Sequence, residues 1–498
     1  MPSKKFEEKI ICDNVHGSIG ISTLEQNVIN TRTFQRLKKI KQLGLASLVF
    51  PGAEHSRFAH SIGAMHVMSR MIDRLREEGC PYFQDDSWER RKQELRLAAL
   101  LHDIGHYPLS HLGEQVFNWI DAQRAELVAA EQAEPQDKPL LAEAATKHKS
   151  EAAKHERLGE AILSDQRSEI KPIIENADFD PINIAKIFNA EHEENPFYTQ
   201  LMSSTLDCDR MDFLLRDSIA AGTIYGRVDV DYILRNLTWD RHSEHVCYYP
   251  KAITAIEHFI MARFFSYNIT YHKTILGFEL LAKALFYAMM KDTHFVKGEF
   301  GGIVRSFDDV KSRIADDRTF LTNFNDEYFW YYLELWDNPP NEAMVHAREK
   351  LLKRQPLRAI LDVRVLYHPE KPYYDYIKSS LMSDLMNSAQ YQKRLQELGL
   401  NEGNVFVLSR SIAFEELTYS RRYDAAGAKD EERLKLVKIK TSDGSEDLMS
   451  KSASIFRTLS DFHTRITRVY ALVNKDSDAE HYLKTAVRAL VDEHCHHV

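Results

Sequence analysis

Between Leu100 and His111 the chain reads LLHDIGHYPLSH. His102 and Asp103 are adjacent, and His106 and His111 follow in a short polar segment broken by Gly105 and Pro108. Three imidazoles and a carboxylate in one helix turn and the loop after it exceed what packing requires. They suit a divalent metal with acid–base groups beside it. A metal that works on phosphate esters needs mixed N/O ligands and open coordination positions. Histidine adds proton transfer near neutral pH, because its unperturbed pKa is about 6.5. Neighbouring side chains on a helix diverge by about 100°, so His102 and Asp103 reach one ion only at a helix end or a distorted turn. Gly105 and Pro108 supply that ending. Two further ligands must come from elsewhere, and His60 and Asp209 are the candidates.

Several elements must position these groups. Lys9–Gly20 reads as a short strand-like run, IIC, then a turn at Asn14–Gly17. Asn27–Leu43 has helical periodicity, with Val28, Phe34, Leu37, Ile40 and Leu43 on one side. A second helix spans Ser61–Glu78, and a third, about Trp88–Leu101, runs into the histidine-rich stretch. Asp121–Lys149 is charged and alanine-rich, the composition of a solvated helix or insertion. His155 opens another amphipathic helix, HERLGEAIL. In Thr205–Ile219, positions 209, 212, 213, 216 and 217 share one face by the three/four spacing. A longer helix covers about Ile253–Tyr271, and YFWYYLELW (Tyr328–Trp336) has the spacing of a core helix. Beyond Pro339-Pro340 the character changes. Ala359–Tyr367 and Val405–Ser409 read as strands, and Leu434–Lys440 as an edge strand followed by a turn at Ser442–Gly444. Ser452–Leu472 reads as helical. The pattern predicts a mainly α protein: a helical core over 1–340 with an insertion near 121–150, and a smaller α+β regulatory or oligomerisation part over 341–498.

Bulk properties narrow the function. The 498 residues are 44% hydrophobic and 28% charged, as in a globular protein. A net charge of −9 argues against a dedicated nucleic-acid binder, since those carry a basic footprint. No apolar run reaches the roughly 18 residues of a membrane helix, and MPSKKFEEKIICDN lacks a signal-peptide core, so a cytoplasmic protein without a membrane partner is expected. Cys12, Cys80, Cys208, Cys247 and Cys495 form no CxxC, which disfavours a disulfide framework or cysteine zinc knuckle.

The order H…HD…D resembles the HD-domain phosphohydrolases. Three blocks resemble one branch more narrowly: FQRLKKIKQLGLASLVFPGAEHSRFAHSIG (Phe34–Gly63), LLHDIGHYPLSH, and DCDRMDFLLRDS (Asp207–Ser218). They are similar to the deoxynucleoside triphosphate triphosphohydrolases, in particular the branch of the vertebrate SAM-and-HD-domain dNTPase, here without a SAM domain. The resemblance implies one divalent ion (Mg, Mn, Fe or Zn) held by His60, His102, Asp103 and Asp209. It implies acid–base roles for His106, His111, Glu114 and His155. Arg57, Arg210 and Arg263 become triphosphate clamps, as arginine suits bidentate phosphate contact. Asp217 and Gln42 become contacts to the sugar 3′-hydroxyl, Leu43 the group that crowds a 2′-hydroxyl, and Tyr271 a further substrate contact. His55 and His66 are read as structural or exposed.

The implied reaction is hydrolysis of a dNTP to deoxynucleoside and triphosphate by a homo-oligomer, dimer or tetramer, with a nucleotide effector as a further partner. Asn30, Gln35 and Lys38 stand where the branch has an Asp, a Gln and an Arg for guanine, and Phe213 where it has a tyrosine. Two rival readings are another HD phosphohydrolase (nucleotidase, phosphodiesterase or single-strand nuclease) and a nucleotide-sensing scaffold with a weak active site.

Overall fold

A computed structural model describes residues 9–132, 153–192, 195, 197–295, 302–317, 319–367, 380–413, 436–448 and 463–494. The fold is mainly α, with small sheets. Contacts divide the chain into two compact units. The first comprises Met1–Ser266, Phe286–Trp336 and Arg422–Ser454, the second Tyr267–Leu285, Asp337–Arg421 and Ile455–Val498. The cut after Trp336 lies near the expected boundary at 340, but the second unit also takes residues 267–285 and the first takes back 422–454.

The first unit opens with an antiparallel hairpin, β1 (Lys9–Asp13) and β2 (Gly17–Ile21). The single helix expected over Asn27–Leu43 is instead a helix at Thr23–Ile29, a short turn of helix at Arg32–Gln35 and a 3-10 turn at Arg36–Lys39. Thr31 causes the break. Its hydroxyl donates to the Val28 carbonyl at 2.8 Å and accepts from Phe34 N at 3.2 Å, ending one helix and capping the next.

Helix α1 (Arg57–Glu77) starts four residues before the expected Ser61, so Arg57 and His60 share its first turn. It packs against α2 (Trp88–Leu101) and, further along the chain, Cys208–Ala220. In the last turn of α2, Leu97 to Leu101 are all fully buried. The helix therefore ends inside the core and delivers His102 and Asp103 there. The loop that follows holds Leu109 and Ser110 at φ of 61° and 62°, a left-handed conformation unusual for either residue. Helix α3 (His111–Gln132) leaves from it, and α4 (His155–Ser164) packs back over it. The remainder of the predicted insertion, 133–152, lies outside the described residues.

Helix α5 (Cys208–Ala220) is capped by Asp207, whose carboxylate accepts from Arg210 N at 2.7 Å. A sheet in the order β3 (Leu237–Asp240), β4 (His245–Tyr248), β7 (Lys438–Lys440), β8 (Ser445–Asp447) completes this unit's strands. The predicted edge strand near Lys440 is therefore interior: β7 pairs parallel with β4 and antiparallel with β8. Helix α6 (Ile253–Thr270) leads to α7 (Lys273–Lys291), and α8 (Asp326–Leu335) buries Tyr328, Phe329, Tyr332 and Leu333, the core role its spacing indicates.

In the second unit, β5 (Arg358–Tyr367), β9 (His463–Ala471) and β6 (Val405–Ala413) form an antiparallel sheet in that order. The helix expected over Ser452–Leu472 is thus wrong for 463–471, and 449–462 lie outside the described residues. Thr464, Ile466, Thr467 and Val469 are β-branched, and both strand edges of this segment find partners, which outweighs its mixed periodicity. Helix α9 (Asp478–His494) adds Leu483, Ala486, Val487, Leu490 and Val491 to the core at the i, i+3, i+4, i+7 spacing.

Gly105 is where α4 comes closest to the histidine-rich loop. A Cβ there would lie 2.0 Å from the His155 carbonyl oxygen and 2.3 Å from Gly159 N. Backbone cannot yield as a flexible side chain does, so Gly105→Ala should cost about 1–3 kcal/mol in chemical denaturation, the usual range for overpacking. A variant as stable as the wild type would show that α4 is not held against this loop.

Candidate active site

His60, His102 and Asp209 converge from α1, the end of α2 and α5, with one ligand atom of each within 4.8 Å of the others. His60 Nε2 lies 3.2 Å from His102 Nε2 and 3.0 Å from Asp209 Oδ1. Asp103 flanks the group, with Oδ2 3.8 Å from His60 Nε2 and Oδ1 3.4 Å from His102 Nε2. Each imidazole has its other nitrogen engaged. His60 Nδ1 donates to Asp212 Oδ2 at 2.7 Å, and His102 Nδ1 to the Ala99 carbonyl at 2.8 Å. Both Nε2 lone pairs are thereby turned inward. Two such lone pairs 3.2 Å apart repel unless a positive charge lies between them. Burial works against charge on His60, but its bonds with Asp209 and Asp212 outweigh it and lift its pKa to about 10. The pocket thus favours a cation at this point, and the His/Asp donor set fits a divalent metal.

Asp103 joins this group to a second one. Its Oδ2 accepts from Arg57 Nη1 at 2.8 Å, and Oδ1 lies 3.1 Å from His106 Nε2 and 4.0 Å from His155 Nε2. Against the desolvation of complete burial, Arg57, His102 and His106 hold its pKa well below the ordinary value. Arg57 also donates from Nε to Ser110 Oγ at 3.0 Å, which ties the first turn of α1 to the strained loop.

The His106 and His155 rings stack, centroids 3.9 Å apart and 18° from parallel. His155 Nδ1 donates to Glu114 Oε2 at 2.9 Å, and His111 Nδ1 lies 3.2 Å from the same oxygen. The two stacked rings have opposite tendencies. Burial, then Arg57 and His155, push the His106 pKa well down. Burial opposes charge on His155 as well, but Glu156 and Glu114, with Asp103 further off, raise its pKa. The two environments push the neighbouring rings in opposite directions, His106 toward its neutral form and His155 toward its protonated one. His106 Nδ1 is buried without a hydrogen-bond partner, and Nε2 faces Asp103 Oδ1. His111 is mostly exposed, its side chain 60% accessible, at the rim of this group.

The expected substrate residues are not all brought together. His55 Nε2 bonds Asp217 Oδ1 at 2.7 Å with both side chains nearly buried, so His55 is a buried partner of the expected sugar contact. Gln42 pairs with His55 through the backbone, Gln42 N donating to the His55 carbonyl at 3.0 Å, and its Oε1 is buried without a partner. Leu43 is half-buried beside it. Arg210 folds back on Asp207 and donates to the Ser204 carbonyl at 2.9 Å. Arg263 is half-buried and acts electrostatically on the same Asp207. Tyr271 lies in the second unit, stacked on Tyr267 with centroids 5.1 Å apart. His66 is half-buried, and burial followed by the nearby His16, Arg70 and Arg96 lowers its pKa to about 4.

Sequence reading missed several residues. Arg36, fully buried, donates to the His106 carbonyl at 2.8 Å, the Ile104 carbonyl at 2.5 Å and the Phe324 carbonyl at 2.7 Å, clamping the loop after Asp103. Asp212 orients His60. Its position on the Asp209 face was visible, but a carboxylate three residues from a ligand also reads as a solvated charge.

Residues 57–200 match the family model described as HD domain. That segment is thus similar to an HD domain, and it contributes His60 and His102 to a His/Asp group that could hold a divalent metal. The chain is 28% identical over 444 residues to the uncharacterized protein YwfO of Bacillus subtilis, covering 84% of this chain and 92% of that one. It is 40% identical over 119 residues to the deoxynucleoside triphosphate triphosphohydrolase SAMHD1 homolog of Dictyostelium discoideum, 24% of this chain and 22% of that protein. The fold is shared with a phosphohydrolase crystal structure from Bacteroides thetaiotaomicron, at TM-score 0.65 and 23% identity over 93% of this chain and all of that one.

If Asp212 fixes the tautomer of His60, Asp212→Asn should weaken divalent-metal binding by roughly 10- to 100-fold, the usual effect of losing a carboxylate behind a ligating histidine. Metal content after dialysis and a metal titration check this. Unchanged affinity would make the His60–Asp212 bond a packing feature only.

Proposed function

We propose that this protein hydrolyses deoxynucleoside triphosphates to deoxynucleoside and inorganic triphosphate. The observation that carries the reading is the stacked His106–His155 pair adjoining Asp103, with the pKa of one ring pushed down and that of the other raised. Two titratable groups pushed apart in this way serve as an acid–base pair. The substrate class is supported by the 40% identity to a SAMHD1 homolog, although over only 24% of this chain.

A divalent ion bound by His60, His102, Asp103 and Asp209 would supply Lewis acidity at a phosphoryl oxygen. Arg57, in the same group, presents a planar cation to the phosphates. Water attacks the α-phosphorus as neutral His106 takes its proton, the bond to the 5′-oxygen breaks, and that oxygen takes a proton from His155. Glu114 keeps His155 oriented and charged, and neutral His106 packs against its face. Asp217, held by His55, and Gln42 receive the sugar 3′-hydroxyl, and Leu43 crowds the 2′ position. Arg210 and Arg263 serve the far phosphates once released from Asp207.

Metal-loaded protein incubated with each dNTP and NTP should release triphosphate from the deoxy substrates. Pyrophosphate or monophosphate would indicate another HD phosphohydrolase, and no turnover in any condition a scaffold with a weak site. Asp209→Ala should lose both the metal and the activity.

The His155 role has its own pH signature. A proton donor works while protonated, so a raised pKa extends activity to higher pH. Glu114→Gln removes one of the charges that raises it, and the alkaline limb of the kcat profile should move to lower pH. An unmoved limb would exclude His155 as the donor.

A further inference from the structure

The turn between β1 and β2 is far from the histidine-rich loop in sequence but reaches the back of the metal group. Asp13 Oδ1 accepts the backbone N–H groups of Val15 and His16, both at 2.9 Å, which folds the turn and presents His16. His16 Nε2 bonds Asp212 Oδ1 at 2.7 Å, while the other oxygen of that carboxylate accepts from His60 Nδ1 at 2.7 Å. Arg216 joins the same anchors. Its Nε and Nη2 donate to the two oxygens of Asp212, both at 2.9 Å, and its Nη1 and Nη2 donate to Asp13 at 2.8 and 3.1 Å. His60, Asp212 and Arg216 side chains have no exposure, and those of His16 and Asp13 have 5% and 6%. Burying two carboxylates, a guanidinium and two imidazoles is costly unless every partner is present. Without His16 and Arg216, the Asp212 carboxylate would have no donor besides His60 to fix its plane.

We propose that the β1–β2 turn is a working part of the metal centre, with Asp13 and His16 as positioning residues that, through Asp212 and Arg216, hold His60 with Nδ1 protonated and Nε2 open to a divalent cation. The inference rests on the metal centre and not on the nature of the substrate. It makes the hairpin a determinant of metal retention: displacing the turn frees Asp212 to rotate, and His60 then loses the bond that fixes its tautomer.

Two perturbations of different kind test this in the full chain. His16→Ala removes the donor to Asp212, and His16→Gln restores an N–H at similar reach. Gly17→Ala leaves every side chain of the network intact. Gly17 has φ of +73°, and a Cβ there would meet nothing within 4 Å, so the substitution strains the turn without a clash. Metal-stripped protein is titrated with manganese(II) by electron paramagnetic resonance, and the His60 ring nitrogens are followed by 15N chemical shift in zinc(II)-loaded protein, where the ion is diamagnetic and takes the place of the Nε2 proton. His16→Ala and Gly17→Ala should each raise the manganese dissociation constant about tenfold or more. The His60 signal should change from one tautomer to a mixture, and His16→Gln should recover most of the affinity. Wild-type affinity with an unchanged His60 tautomer in either folded variant overturns the proposal. If His16→Ala does not fold, Gly17→Ala decides alone. A wild-type chain that takes up no manganese removes the metal centre and the inference with it.

Discussion

A 2.7 Å hydrogen bond between two fully buried groups, His60 Nδ1 and Asp212 Oδ2, underlies the arrangement of the site. It decides which nitrogen of His60 faces His102 and Asp209. With the other tautomer, Nε2 would carry a proton into the space where an ion belongs. The bond in turn depends on how Asp212 is held, by His16 and Arg216, on the side away from the metal group. Three separate chain segments thus meet behind one ligand, and the buried charges among them balance only when all three are in place.

The second constraint is the loop from His102 to His111. Its shape is costly, with two consecutive non-glycine residues in left-handed backbone conformation. It is held by Arg36, which donates to carbonyls at 104 and 106, and by Asp326, whose carboxylate accepts from Leu109 N at 2.7 Å. Burial lowers the Arg36 pKa to about 9, still protonated at neutral pH, so the clamp stays charged. The loop needs this support because it must do two things within ten residues. It sets His102 and Asp103 beside His60, and it turns His106 onto the face of His155. Asp103 is the hinge between the two tasks, shared by Arg57, the metal group and the histidine pair.

Asp209 and Asp217 lie near opposite ends of α5. Groups with strongly shifted pKa values cluster around Asp103, while Asp217 pairs with His55 toward the C-terminal end of α5. About 12 Å lies between Asp209 and Asp217 at the helical rise, roughly the length from a phosphate to the far side of a sugar. A rigid helix makes that separation a fixed ruler.

The residue order H…HD…D and the blocks around it pointed to an HD domain and to His60, His102, Asp103 and Asp209 as ligands; residues 57–200 match that domain, and helix packing brings His60, His102 and Asp209 within reach of one ion. Hydrophobic periodicity placed α2, α4 and α6 to within a residue, and α5 with its start three residues early, at Thr205 instead of Cys208. It failed where pairing partners decide. The 463–471 segment is a strand because β5 and β6 flank it, and Lys438–Lys440 is interior because β4 and β8 do. Local pattern carries no record of such partners. The sequence also held His16, Arg36 and Asp212 in plain view, but as ordinary charges on turns and helix faces. Only the tertiary structure made them functional, since a hydrogen bond across 152 residues, as between His60 and Asp212, exists only once the helices have packed.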